Sequence, residues 1–462
     1  MTVRKNPLKI LITPNYPAPY DQRMVNGLAA GFHAIGHQAL ALPAPISAVE
    51  VAQKCKELSI DVVIQVNRTR HPEVELPPKV RYISWFQDVF PGTMSGFAEG
   101  FRGSDILYAL GDAGVLGLDA QLPCYVGSLV SGVDKTVIDY CPKAKLEPVD
   151  FSLCGFIPTS PVILTYNFRS DVLALIRCNP WLGALRVIAI TRKALLGRYL
   201  RSFSAHNKAF ITMMETVRSS YHPLRGELDI HKLTQAMREA TASEDVSSGE
   251  GQHQSGGLLA RLNHYAQYLA GWYRGKRDRA HQNSIPDFRA LSPFEKSINY
   301  FAREYPRLLD RETLINGVLR VSDSLELYGP GWNMHPEFNS YAKGVIDTQD
   351  GLLDVYRRSR INLANNTHGL GLHSRTLECM AVGGFVFTHE SPHDNKPGGM
   401  LTSFEPGVHY GVFTPENLHE EAHRWLADDA RRTQVGRQAA EVVRQRHCWH
   451  HRAQQILEDL RR

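Results

Sequence analysis

Two kinds of hydrophobic segment alternate along the first part of the chain. Short continuous apolar runs, such as Leu8-Lys9-Ile10-Leu11-Ile12-Thr13 and Asp61-Val62-Val63-Ile64-Gln65-Val66, read as strands of a parallel sheet covered on both faces. His37 to Leu42, Val80 to Trp85, Asp105 to Leu110 and Cys124 to Gly127 repeat that pattern. Helical periodicity fills the gaps, from about Gln22 to Ile35, where Gly36 stops it, and from Ile46 to Leu58. Such alternation predicts right-handed βαβ units and a doubly wound parallel sheet. Ligands of these sheets bind beyond the strand carboxyl ends, which here carry Asn15, Asn67 and Asp88.

After a connection from Leu129 through Pro142, a strand from Val149 to Phe156 opens a second sheet, and the alternation then stops. Residues from about 159 to 308 read as mostly helical, an insertion with a polar, Gly/Ser-rich stretch from Thr241 to Gly257 that is expected to be disordered. A helix is expected at its end, Pro293 to Tyr305, and another just after it, Leu309 to Val321. Alternation resumes with a strand at Leu325 to Tyr328 and the turn Gly329-Pro330-Gly331-Trp332, then a short strand near Gly344-Val345-Ile346 and a helix from Gly351 to Ser359. Arg360 to Asn366 is a strand and Thr367 to His373 a glycine-bearing loop; Ser374 is the expected cap of a short helix that Gly383 ends, before the strand Phe385 to Thr388. Gly407 to Phe413 suggests an edge strand, and Glu416 to Arg462 a charged helical tail.

Composition narrows the class. At 462 residues the chain is too long for one ordinary core. Its 43% hydrophobic and 21% charged content is that of a soluble globular protein, and no apolar run reaches the about 20 residues that span a bilayer. A net charge of +5 allows an anionic substrate without indicating a nucleic-acid partner. Seven cysteines without a CxxC pair indicate neither a zinc site nor a disulfide frame, which fits a cytoplasmic setting. The basic segment 182–208, with Arg186, Arg192, Lys193, Arg198, Arg201 and Lys208 among apolar residues, reads as a helix hairpin over its own core or as a face for an acidic membrane surface.

The candidate chemistry gathers at the glycine loop and the helix behind it. A helix opening just beyond a strand end is a place where phosphate can bind. Arg375 supplies a bidentate donor there, and Glu378, one turn on, is placed to accept hydrogen bonds from a ribose diol. Two glycine turns at strand ends, Gly329 to Gly331 and Gly369 to Gly371, offer amides and room for a diphosphate. No Asp-x-Asp pair sits at a strand end, so donor charge would be met by Arg375, the helix dipole and amides, with no metal or cofactor required.

The order Tyr328-Gly329-Pro330-Gly331-Trp332, Ser359-Arg360-Ile361-Asn362-Leu363, Arg375-Thr376-Leu377-Glu378 and Gly383-Gly384-Phe385 resembles the C-terminal half of GT-B glycosyltransferases. It is most similar to their CgeB-like branch (spore maturation protein-like, glycosyl transferases group 1). The resemblance covers about 146–158 and 310–462, and reaches 1–145 by fold pattern only. It implies two Rossmann-like domains facing a cleft: an acceptor-side domain at 1–145, a donor-binding domain at 146–430 interrupted by the helical insertion, and closing helices at 431–462 returning to the first domain. It implies that Glu378 holds the donor ribose, that Arg375 and the loop from Gly369 through Gly371 to Ser374 hold the diphosphate, and that Gly329, Gly331, Trp332, Val345 and Ile346 line the nucleotide pocket; Asn366 and His368 are further donor-binding candidates. Many relatives place an acid eight positions before the ribose glutamate; here that residue is Leu370, and His368 is not its equivalent. This departure favours inverting displacement, with a general base from the N-terminal domain. Asp88 is the first candidate, ahead of Asp21 and His33. The expected activity is sugar transfer from a nucleotide-diphosphate sugar to a glycan, lipid or protein acceptor. A non-catalytic nucleotide- or partner-binding protein and a nucleotide-sugar epimerase are the alternatives.

Overall fold

The computed structural model describes residues 7–87, 100–118, 122–142, 145–161, 209–246 and 293–462. Asp88, the basic segment 182–208 and residues 247–257 of the Gly/Ser-rich stretch lie outside them.

Six parallel strands build the first sheet: β1 (Lys9–Thr13), β2 (Gln38–Ala41), β3 (Val62–Val66), β4 (Arg81–Phe86), β5 (Ile106–Ala109) and β6 (Tyr125–Ser128), in the order β2-β1-β3-β4-β5-β6. Strands β3 and β5 are buried along their whole length, as their mainly apolar sequences require; Gln65, the polar residue of β3, donates to Thr13 Oγ1 and accepts from Tyr82 Oη. Helix α1 (Pro19–Ala34) presents Met24, Val25, Leu28 and Phe32 to this sheet. Helix α2 (Ala48–Glu57) begins with a capping box in which Ser47 and Glu50 satisfy each other's backbone amides.

A short helix, α3 (Lys135–Ile138), precedes the second sheet. That sheet comprises β7 (Val149–Cys154), β8 (Leu325–Tyr328), β9 (Ala342–Gly344), β10 (Ser359–Ala364), β11 (Val386–His389) and β12 (Gly411–Phe413). Its order is β12-β11-β10-β7-β8-β9, again all parallel. Two parallel six-stranded sheets with flanking helices are the arrangement expected of the GT-B fold. Strand β7 pairs directly with β8, although the intervening chain is very long. Connections leave the β7/β10 pair in opposite directions, which makes the crevice beyond their carboxyl ends the topological switch point of the sheet.

Described parts of the intervening chain are largely helical. Helix α4 covers 209–220 and α5 covers Ile230–Val246; α6 (Pro293–Asn299) runs through a π-helical turn at Tyr300–Glu304 into α7 (Tyr305–Leu319). The gap at 306–308 between the two expected helices does not occur. Pro306 falls in the first turn of α7, just after the wide π turn, where a missing amide proton and the ring are tolerated.

Helices α8 (Gln349–Arg358), α9 (Ser374–Ala381), α10 (Leu418–Ala427) and α11 (Asp429–Arg446) cover the second sheet and lead to α12 (Trp449–Asp459). Helix α12 packs along α1. Trp449 reaches the core of the first sheet, edge-on to Trp85 at 6.2 Å between ring centroids, and Tyr108 donates to Asp459 at 2.7 Å. Among the described residues no helix is long and apolar enough to cross a membrane.

Candidate functional site

A cavity of about 400 Å³ opens at the switch point. Its floor is the ends of β7 and β10, from Ser152 to Cys154 and from Asn362 to Thr367; helix α9 contributes Arg375, Thr376 and Cys379. The opposite wall comes from the π turn and α7, which present Arg303, Arg307 and Arg311 at intervals of four residues along one face. Sequence reading missed this row because Arg303 and Arg311 fell in two separate expected helices and Arg307 in the gap between them. The four-residue spacing was the available signal.

Arg311 is the most informative member. It is 6% exposed, and its buried Nε and Nη1 have no hydrogen-bond partner. A Cβ built on Gly155, just past β7, would lie 2.7 Å from Arg375 Nη1 and 3.1 Å from Arg311 Nη2. Both guanidinium groups therefore converge on one point at the strand end. Burial first, and then the charges of Arg307 and Arg375, hold the Arg311 pKa well below its ordinary value. Asp310 next to it is committed elsewhere: it accepts from Tyr221 Oη at 2.7 Å, Leu224 N at 2.8 Å and Asn365 Nδ2 at 3.0 Å. Arg307 pairs with Glu304 at 3.0 Å, and Arg307 and Arg311 flank the Phe156 ring at 5.1 and 5.2 Å. Arg311, desolvated this far and with no carboxylate in salt-bridge reach among the described residues, forms with Arg375 a receptive site for an anion.

Arg375 donates to the Cys154 carbonyl at 2.7 Å, which fixes its guanidinium at the end of β7. Its helix starts one residue earlier than expected: His373 caps it and Ser374 is already helical, because the His373 ring faces the Arg375 amide. Burial and the charges of Arg375, Arg307 and Arg311 push the His373 pKa down to about 3, so its imidazole is neutral. Gly383, in a left-handed conformation, ends the helix as expected.

Glu378 lies on the same helix but faces the first domain. Its Oε1 accepts from Gln349 at 3.3 Å and stands 3.5 Å from Arg23 of α1, while Oε2 is buried with no partner. Burial raises its pKa, with Arg23 opposing and Asp134 reinforcing the rise. An acceptor oxygen kept dry and unused is what a vicinal diol would satisfy.

The remaining expected residues separate into groups. Asn366 and Gly371 line the arginine cavity, and Asn366 also donates to the Leu370 carbonyl, closing the loop. Space beside three glycines is filled by protein and does not open for a diphosphate. A side chain at Gly329 would strike Gly155 O at 2.6 Å, one at Gly331 would strike Ile157, and one at Gly369 (φ 74°) would meet Gly226 and Ser391. These glycines allow the β7 end and the returning insertion to pack closely. Trp332 is fully buried, donating to Gly155 O at 2.7 Å. Val345 is exposed and Ile346 partly so, and neither lines the arginine cavity. Leu370, in the place of the expected acid, is buried against Gly111 of the first domain. His33 bonds to Ala39 beside β2, at the opposite end of the first sheet from the strand carboxyl ends.

Away from this site the tail brings Cys448, His450 and His451 within 4.8 Å, a grouping that the wide cysteine spacing did not foreshadow. His451 Nδ1 already accepts the Cys448 amide, and the charges of Arg452, Arg444 and Lys135, opposed by Asp134, leave the thiol in mainly positive surroundings, a poor setting for a cation.

Residues 308–458 match the family described as glycosyl transferase-like, so the last third of the chain carries a glycosyl transferase-like domain. No curated protein sequence matches the chain. Among solved structures it is similar to a glycosyltransferase from Rickettsia africae, at 10% identity and a TM-score of 0.43, covering 99% of this chain and 98% of that one. It is also similar to Anabaena HepE in complex with UDP-glucose, at 12% identity and a TM-score of 0.45, covering 98% and 99%.

Proposed function

We propose that this chain transfers a sugar from a nucleoside-diphosphate sugar to an acceptor hydroxyl, proceeding from the glycosyl transferase-like character of residues 308–458. The observation that carries the reading is the buried, uncompensated Arg311 converging with Arg375 at the β7 end. Two fixed cations there match the two charges of a diphosphate. Glu378, with Oε2 unpartnered, accepts from the ribose diol.

The chemistry follows from that placement. The acceptor oxygen attacks the anomeric carbon, the bond from that carbon to the diphosphate oxygen breaks, and its electron pair leaves with the nucleoside diphosphate. Arg311 and Arg375 stabilise the charge that develops there without having to reorganise. With Leu370 where an acid is usual, displacement is inverting, and the acceptor proton passes to a base of the domain at 1–145. Asp88 is our assignment for that base; it follows Gln87, the residue just beyond β4. The domain at 146–430 is the donor side, and 431–462 ties it to the first. The acceptor is a glycan, a lipid-linked sugar or a protein, and the basic segment 182–208 would bring a cytoplasmic enzyme to a membrane surface. Membership of the CgeB-like branch is part of the same proposal.

A thermal-shift panel of UDP, GDP and dTDP with the full chain tests the donor site. A ligand at a hundredfold excess over its Kd stabilises by about 2.7 kcal/mol. The Glu378→Ala variant should lose tenfold or more in affinity, and wild type should lose as much for the 2′,3′-dideoxy form of the ligand. Insensitivity of the variant to the missing diol completes the assignment; wild-type affinity in Glu378→Ala refutes it. Interconversion of free donor sugars would indicate an epimerase instead.

A further inference from the structure

A second cavity, of about 140 Å³, continues from the first toward the N-terminal domain. Gln87, Leu110 and Leu116 bound it on that side, and His368, Leu370 and Leu372 on the other. His368, a donor-binding candidate in the sequence, lines this cavity and not the arginine cavity. Arg303 and Arg307 edge both cavities; the described residues that belong to the second alone are uncharged. We propose that the second cavity seats one uncharged sugar ring of the acceptor, with Gln87 donating to its hydroxyls and His368 accepting from them. This rests on the donor reading above, since a donor in the first cavity presents its sugar to whatever fills the second.

Each domain contributes one buried polar atom that the protein itself leaves unused. Gln87 Nε2 has no hydrogen-bond partner, and an amide nitrogen can only donate. His368 Nδ1 has none either, and burial first, then the charges of Arg307 and Arg303, pushes its pKa down to about 3. The imidazole is therefore neutral and, in the tautomer protonated on Nε2, accepts at Nδ1. Burying such atoms unpaired is costly, and hydroxyls, which both donate and accept, satisfy the two of them. Both residues are held in place. Gln87 N donates to Asn67 Oδ1 at 2.6 Å, and the loop carrying His368 is pinned where Gly369 packs on Gly226 and Ser391. The leucines offer an apolar wall to the C–H face of a ring. A cavity of about 150 Å³ accepts benzene, so this one suits a single six-membered ring. A serine or threonine of a protein acceptor brings one hydroxyl and no ring, which would leave a nitrogen unpaired and the leucine walls bare.

The test uses the full chain saturated with the tightest-binding of UDP, GDP and dTDP, so that the first cavity is closed to the probes. Ligand-observed NMR titration takes the methyl glycosides of glucose, galactose, mannose and N-acetylglucosamine. It compares them with cyclohexanol, which has the ring but one hydroxyl, and with N-acetylserine amide, which stands for a protein acceptor. At least one glycoside should bind tenfold or more tightly than both comparators. Its octyl form, below micelle concentration, separates the sources: tighter binding means a lipid-linked sugar and equal binding a soluble glycan, and either supports the inference. Gln87→Leu and His368→Leu should each weaken that glycoside about three- to tenfold and cyclohexanol less than twofold. Gln87→Leu should also change nucleotide affinity less than threefold, and it decides alone if His368→Leu does not fold, because Gln87 is only half-buried. Failure of every glycoside to outbind the comparators overturns the inference while leaving the donor reading intact. So does an equal loss of glycoside and cyclohexanol in Gln87→Leu, or an unchanged glycoside. If no nucleoside diphosphate binds, the donor reading has failed, and this inference falls with it.

Discussion

Replacing Arg311 with methionine should move stability and ligand affinity in opposite directions. In the free protein this guanidinium is 6% exposed, two of its nitrogens lack partners, and no salt bridge reaches it among the described residues. Burying an unpaired charge costs several kcal/mol. The Phe156 ring face returns about 0.5–2 kcal/mol of that, and the fields of Asp310 and Glu304 offset a further part. Methionine fills similar volume without the charge, so the free variant should be as stable as wild type or more so by about 1–2 kcal/mol. For a domain of this size that is a rise of about 2–8 °C in Tm. Binding loses a charge-assisted hydrogen bond to phosphate, about 1.5–3 kcal/mol, so nucleoside diphosphate affinity should fall about 10- to 150-fold. Differential scanning calorimetry of the free and liganded protein, with titration calorimetry for affinity, measures both. A variant that melts several degrees lower and binds as wild type would show Arg311 to be a structural counter-ion of Asp310 and Glu304, and would refute the donor-site argument.

Two further outcomes follow from single groups. Arg23 opposes the rise in the Glu378 pKa, and only the ionised carboxylate is a full acceptor for a diol. Nucleotide affinity should therefore fall as pH drops through that raised pKa, and in Arg23→Ala the fall should begin at higher pH; superimposable pH profiles would contradict this. His447 is buried against Phe404, and burial, then the Arg452 charge, holds its pKa at about 3. The unfolded chain takes up this proton near pH 6.5 and the folded chain does not, so the stabilisation is present above that pH and is lost on acidification. The loss reaches about 2 kcal/mol at pH 5. Urea unfolding of wild type and His447→Gln at pH 7 and 5 should show the variant losing less by roughly that amount; equal losses would mean His447 is not the responsible group.

Much of the architecture was legible before any coordinates. Each strand of the first sheet is apolar over its own few residues, and each helix carries its own period, so β1 to β6 could be placed from local sequence alone. Gly36 and Gly383 marked real helix ends because a left-handed residue is a local demand. Helix α9 behind the loop, with Arg375 and Glu378 on it, was legible for the same reason.

Tertiary structure decided what local pattern could not hold. Residues 306–308 read as a gap between two helices, and only the π turn that runs on into the helix at Pro306 lines up Arg303, Arg307 and Arg311. Glycines 329, 331 and 369 read as open seats for phosphate, but distant segments fill the space beside them. Glu378 was assigned from its spacing, yet its contact with Arg23, on a helix of the other domain, depends on how the two sheets face each other. Leu370 read as a missing acid, and in the fold it is a packed side chain between domains. Periodicity and capping are set within a turn or two of chain. Which cations share a cavity, and whether a carboxylate is near enough to neutralise them, depends on how segments tens of positions apart or more pack together. That long-range proximity is what turns four ordinary arginines into a candidate anion site.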